Sequence, residues 1–166
     1  MLEAVKTYPE YQPVLACAPG IEEEYYNKYI GDNIVGCTHN ETYALLSHST
    51  AALVTSGTAT LETAIFNVPQ VVCYKTPIPS IIRWAFNHII KCKYISLVNL
   101  IANKEVVQEL FADRFSVKTL REELGKILPN GGGRAKILSE YDIIDDRLGN
   151  ESAPENAARM MIAKLS

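Results

Sequence analysis

Leu53-Val54-Thr55-Ser56-Gly57-Thr58-Ala59-Thr60-Leu61-Glu62-Thr63-Ala64 reads as a short buried strand, a tight glycine turn and a helix that opens with small hydroxyl residues. Strand, turn and helix start in that order build an anion site. The first N–H groups of a helix have no partner within it, and the positive end of its dipole points the same way. Ser56, Gly57, Thr58, Ala59 and Thr60 are therefore candidates to face a diphosphate, through the N–H groups of 57–60 with help from the hydroxyls. Glu62 lies one helical turn in, and its two oxygens can accept from two adjacent ribose hydroxyls. The stretch is neither a Walker loop, since no Gly-Lys-Ser/Thr follows, nor the G-x-G-x-x-G fingerprint. Its plainer reading is an ordinary capped helix with a favourable acidic residue near its start.

Working outward, short apolar runs alternate with helical patterns. Val14–Ala18, Ile34–Cys37, Ala51–Thr55, Gln70–Tyr74 and Lys93–Val98 read as strands. Between them, 21–30, 42–48, 57–66 and 80–91 read as helices, followed by helices over 105–111, 116–128, 134–148 and 154–165. This order predicts an α/β fold: a Rossmann-like parallel sheet with helices on both faces and a helical C-terminal tail. The division falls at the Asn130–Gly133 turn, giving a domain over 1–133 and a tail over 134–166. Ligands of such sheets bind at the carboxyl ends of the strands. Two further candidates fall there: the polar loop Thr38, His39, Asn40 and Glu41, with Asn40 as the expected cap of the next helix, and Asn99. Each has a plainer reading, as a solvated loop and as a turn residue.

Composition narrows the classes. The chain has 166 residues, 48% hydrophobic and 21% charged, which suits a folded domain with a sizeable core. A net charge of −3 gives no electrostatic footprint for nucleic acid. Cys17, Cys37 and Cys73 sit in apolar runs without C-x-x-C spacing and read as buried reduced thiols. No metal-ligand spacing and no nucleophile elbow stand out, and no apolar run approaches the ~18 residues of a membrane span. The helix over 80–91 carries Ile81, Ile82, Trp84, Phe86, Ile89 and Ile90 beside Arg83, Lys91 and Lys93. It reads either as a surface for acyl chains and lipid phosphates over 80–93 or as a helix buried on both sides.

Ser-Gly-Thr-Ala-Thr-Leu-Glu at 56–62, Pro-Gln-Val-Val-Cys-Tyr-Lys at 69–75 and Lys-Tyr-Ile-Ser-Leu-Val-Asn-Leu-Ile at 93–101 resemble the C-terminal half of lipid-A-disaccharide synthases, their Bacteroides-type members in particular. The three motifs in that order carry the resemblance, which runs over essentially the whole chain. Ser-Gly-Thr-Ala alone is shared with many two-domain glycosyltransferases. The resemblance implies a GT-B glycosyltransferase whose C-terminal half binds UDP-2,3-diacylglucosamine. The other half would hold 2,3-diacylglucosamine 1-phosphate and much of the catalytic apparatus. The implied products are lipid A disaccharide 1-phosphate and UDP, formed without a metal or other cofactor. It also implies diphosphate contacts from Ser56 to Thr60, a ribose contact from Glu62, uracil beside 38–41, and Asn99 near the donor as the Asn of a Pro-Asn-Leu motif. Here Val98 replaces that Pro. Members exchange C-terminal helices between subunits, so a homodimer through the tail is implied.

Two departures shape the expectation. The acceptor half is absent, and the chain begins after the family's first strand of this domain and its Gly-Ser-Arg loop, whose Arg helps to bind the donor. The 166 residues alone are therefore expected to be catalytically inactive. The alternative is a stand-alone nucleotide-sugar-binding or interaction module, and an epimerase of the related two-domain type is a more distant one. The expected location is the cytoplasm, with a peripheral position on the inner face of the inner membrane through 80–93 left open.

Overall fold

A computed structural model describes residues 1–55, 57–75, 93–149 and 153–165. The expected helix over 80–91, and with it the lipid-facing surface at 80–93, lies outside the described residues apart from Lys93. Among the described residues the strands are β1 (Val14–Cys17), β2 (Gly36–His39), β3 (Ala52–Val54), β4 (Gln70–Tyr74) and β5 (Gln108–Phe111). The helices are α1 (Leu2–Val5), α2 (Glu23–Ile30), α3 (Thr42–Ser47), α4 (Gly57–Ile65), α5 (Leu97–Ala102), α6 (Val117–Ile127), α7 (Arg134–Leu148) and α8 (Ala153–Leu165), with a 3-10 turn at Ala112–Arg114.

Every strand pair is parallel, as alternation of strand and helix requires. The strands form two ladders, β1-β2 and β3-β4-β5. In the larger one, Val54, Val72 and Glu109 share one level across three strands. β4 is its centre. Gln70, Val71, Val72 and Cys73 are all buried, and since successive side chains point to opposite faces, both faces of β4 are covered. Helices α4 and α6 pack on β4, α5 and α7 pack on α4, and α1 packs on α6. The α/β reading with a helical C-terminal region stands.

Local chemistry sets the helix ends. Asn67 takes a left-handed conformation (φ 54°) after α4, and the N–H groups of Asn67 and Val68 close back onto the carbonyls of Ala64 and Thr63. The Ser116 hydroxyl accepts from the Thr119 N–H at 3.1 Å and starts α6, whose Leu120, Leu124 and Ile127 form one buried stripe. In α7 the same spacing buries Ile137, Tyr141 and Ile144 in the common core. The Arg134 guanidinium donates to the Thr50 carbonyl at 2.7 Å and the Ile127 carbonyl at 3.0 Å, tying the start of α7 to the approach to β3 and the end of α6. The Tyr141 hydroxyl donates to the Val68 carbonyl at 3.1 Å and accepts from Gln70, whose amide also donates to the Thr60 carbonyl.

Five expectations are corrected. Lys93–Val98 is not a strand: Ser96 caps α5 instead, and Asn99 lies inside that helix. The fifth strand is Gln108–Phe111, where a helix over 105–111 was expected. A short run of apolar and β-branched residues fits either element, and long-range hydrogen bonds decided between them. β2 runs Gly36–His39 rather than 34–37, which puts Thr38 and His39 in the strand, and Glu41 rather than Asn40 stands at the cap position of α3. Cys37 is exposed, while Cys17 and Cys73 are buried.

Candidate functional site

β3 ends at Val54, Thr55 is exposed, Ser56 lies outside the described residues, and α4 begins at Gly57. Among the described residues nothing stands within 4 Å of where a side chain on Gly57 would sit. Helical periodicity then splits the candidates. Thr60 is fully buried, and its hydroxyl donates to the Gly57 carbonyl at 2.5 Å; the buried Thr63 hydroxyl donates to the Ala59 carbonyl at 2.7 Å. The Thr60 hydroxyl is thus turned into the helix and is not presented at the helix start. Thr58 is exposed and Glu62 half-buried; four residues apart, they share the outer face. The Glu62 carboxylate makes no hydrogen bond or ion pair with any described residue. What α4 offers is therefore a backbone start at Gly57–Ala59, with one hydroxyl and one carboxylate on the outer stripe.

The second candidate group sits at the end of β2. Thr38 is half-buried, while His39, Asn40 and Glu41 are exposed. Asn40 adopts φ 57°, a left-handed conformation that Asn tolerates, and this turns the chain from β2 into α3. The Thr38 hydroxyl donates to Glu41 at 3.3 Å across the turn. The ring of Tyr43 on α3 stacks on Phe66, just past the end of α4 and four residues beyond Glu62, with centroids 5.3 Å apart and planes 29° apart. The pair joins the element after the 38–41 loop to the outer face of α4. Nothing local in the sequence announces this contact, since an aromatic pair 23 positions apart has no signature.

Asn99 is placed differently. It is fully buried, and its side chain is spent inside the fold. Its oxygen accepts from the Val106 and Val107 N–H groups at 2.8 and 2.9 Å; its NH2 donates to the Val107 carbonyl at 2.8 Å and to Glu109 at 2.9 Å. Glu109, which the sequence did not single out, is buried too. Its carboxylate accepts from the N–H groups of Ile95 and Ser96, from the Ser96 hydroxyl and from Asn99. Burial pushes the Tyr74 phenol up, and the negative charge of Glu109 nearby adds to the effect. Among the described residues no three His, Cys, Asp or Glu side chains gather as a metal site, and no helix is long and apolar enough to cross a membrane.

The family model described as lipid-A-disaccharide synthetase matches residues 3–161. The lipid-A-disaccharide synthase of Myxococcus xanthus (strain DK1622) is 30% identical over 171 residues, covering 99% of this chain and 44% of that protein. The one from Gluconobacter oxydans (strain 621H) is 32% identical over 172 residues, covering 99% of this chain and 40% of its own length. The one from Gloeothece citriformis (strain PCC 7424) is 36% identical over 120 residues, covering 70% and 30%. The chain spans less than half the length of each of these relatives.

Proposed function

The chain belongs to the lipid-A-disaccharide synthetase family, and on that premise we propose that it is the UDP-sugar-binding part of a glycosyltransferase of lipid A biosynthesis. The donor is UDP-2,3-diacylglucosamine. An acceptor hydroxyl of 2,3-diacylglucosamine 1-phosphate attacks the anomeric carbon, the bond to the diphosphate breaks, and UDP leaves. The observation that carries this reading is the start of α4, where no described residue stands within 4 Å of a side chain placed on Gly57, with Thr58 and Glu62 on its outer face. Backbone N–H groups and the helix dipole suit the charge that grows on a departing diphosphate. Glu62 suits the ribose, because an unengaged carboxylate accepts two hydroxyl protons at once. The 38–41 loop takes the uracil side. The acceptor and the remaining catalytic groups come from outside these 166 residues, so the chain alone releases no UDP from the two lipids. Exposed Met160 and Met161 on α8 suit a helix exchanged with a second copy.

Calorimetric titration with UDP tests the reading. UDP binds the purified chain, and Glu62→Gln weakens it about tenfold, on the order of 1.4 kcal/mol. The same variant narrows the preference for UDP over 2′-deoxy-UDP, because a carboxamide offers only one acceptor oxygen. Absence of UDP binding at millimolar concentration, with the fold intact, would refute it.

A further inference from the structure

Two helix starts lie near the carboxyl end of β3. One is that of α4. The other is that of α5, which Glu109 holds: Val54, the last residue of β3, shares a level with Val72 and Glu109. At the usual spacing between strands, the Glu109 backbone is about 10 Å across the sheet from Val54. The two helices also pack on each other.

Their N-termini differ in what fills them. Just ahead of α5 the Glu109 carboxylate takes up the donors of residues 95 and 96. It accepts from the Ile95 N–H at 3.1 and 3.0 Å, the Ser96 N–H at 2.8 Å, the Ser96 hydroxyl at 2.7 Å and the Asn99 amide at 2.9 Å. Ser96 and Asn99 are fully buried, and among the described residues no Lys, Arg or His forms an ion pair with Glu109. A buried carboxylate without a counter-cation stands only where several donors converge on it.

We propose that Glu109 is a positioning residue for the donor site, a role that rests on the UDP-sugar reading above. It acts through Ile95, Ser96 and Asn99. By pinning them it fixes the backbone at 95–96, seats α5 against α4, and withdraws the N–H groups before α5 from competition for the diphosphate. Asn99 belongs to this internal network and not to the ligand. Glu109→Gln keeps one oxygen for the Ser96 and Asn99 donors but puts an NH2 group where the second oxygen accepts from the Ile95 N–H, so the network is broken at Ile95 and loses its charge while the size of the residue is kept.

The test is titration with UDP of the unaltered chain, Glu109→Gln, and Leu120→Ala as a core-destabilised control on α6, all well below their unfolding temperatures. Hydrogen exchange is read at 93–99. Glu109→Gln weakens UDP at least tenfold and speeds exchange at Ile95 and Ser96, while Leu120→Ala stays within twofold in affinity. Ser96→Ala, which removes one donor, serves if Glu109→Gln does not fold, and weakens UDP about threefold. Unchanged affinity in the network variant, or equal weakening in Leu120→Ala, overturns the positioning role while leaving the donor site standing. No UDP binding by the unaltered chain overturns the donor reading and this inference together.

Discussion

β1 and β4 both read as short strands of a parallel sheet, and the molecule treats them differently. In β4 the first four residues are buried. In β1 only Cys17 is buried and Val14 is 41% exposed; β2 has no buried residue, and neither has α2. Instead α2 gathers Tyr25, Tyr26 and Tyr29 against one another, and Ile34 before β2 is 88% exposed. The main core is drawn from β4, β5, α4 to α7 and Ala4 of α1. A parallel strand is stabilised by what covers its faces, not by the run of apolar residues itself. The proposed site spans this contrast: α4 is anchored in the core, whereas the 38–41 loop hangs on the thinly covered β1-β2 pair. Regions with few buried apolar contacts open locally at lower free energy, so the uracil side of the site is expected to be the adaptable one.

The sharpest way to break the comparison is a pair of truncations. Leu110→Ala in β5 removes a side chain that is 1% exposed and costs about 2–5 kcal/mol in denaturant unfolding, whereas Ile34→Ala stays within about 0.5 kcal/mol. Equal costs would mean that the two sheets share one core. A smaller effect tests the polar brace under β4. Tyr141→Phe takes the hydroxyl from the Val68 carbonyl and the Gln70 amide, and is expected to cost about 1–3 kcal/mol, since both are buried. Ser139→Ala, at an exposed site on the same helix, serves as its reference.

The finest test uses the thiols. Cys37 should alkylate first, Cys17 more slowly and Cys73 last, read by peptide mass spectrometry. Burial raises the Cys17 thiol, with neighbouring Cys37 adding to it, and pushes Cys73 up to about 12 from 9.0. The folded state therefore holds the Cys73 proton more tightly than the unfolded chain does. That stabilisation is present below pH 9 and is lost as pH rises toward about 12. The denaturation midpoint should fall over that window, and fall less steeply in Cys73→Ala.

Legibility followed punctuation. β4 at 70–74 and α7 at 134–148 have the predicted bounds because Pro69 and the Asn130–Gly133 turn mark them. The misread stretch, 93–111, lacks such marks. Ser96 looks like a strand residue until its hydroxyl is seen to accept from the Asn99 N–H, and Glu109 looks like a solvated helix residue until its four donor groups are in place. At the site, Gly57, Thr58, Ala59 and Glu62 fell where the strand–turn–helix pattern put them. The Thr60 hydroxyl and Asn99 did not, because the inward face of α4 and the packing around β5 are set by contacts from other elements.

By itself the sequence determined the alternation of strand and helix, the parallel sheet that follows from it, and the helix that opens at Gly57, since all of these arise from local periodicity and turn chemistry. Only the tertiary structure decided which sheet is buried, which polar residues are spent inside the fold, and that Glu109 takes up the donors just ahead of α5. Burial and the pairing of buried polar groups depend on neighbours far away in the chain.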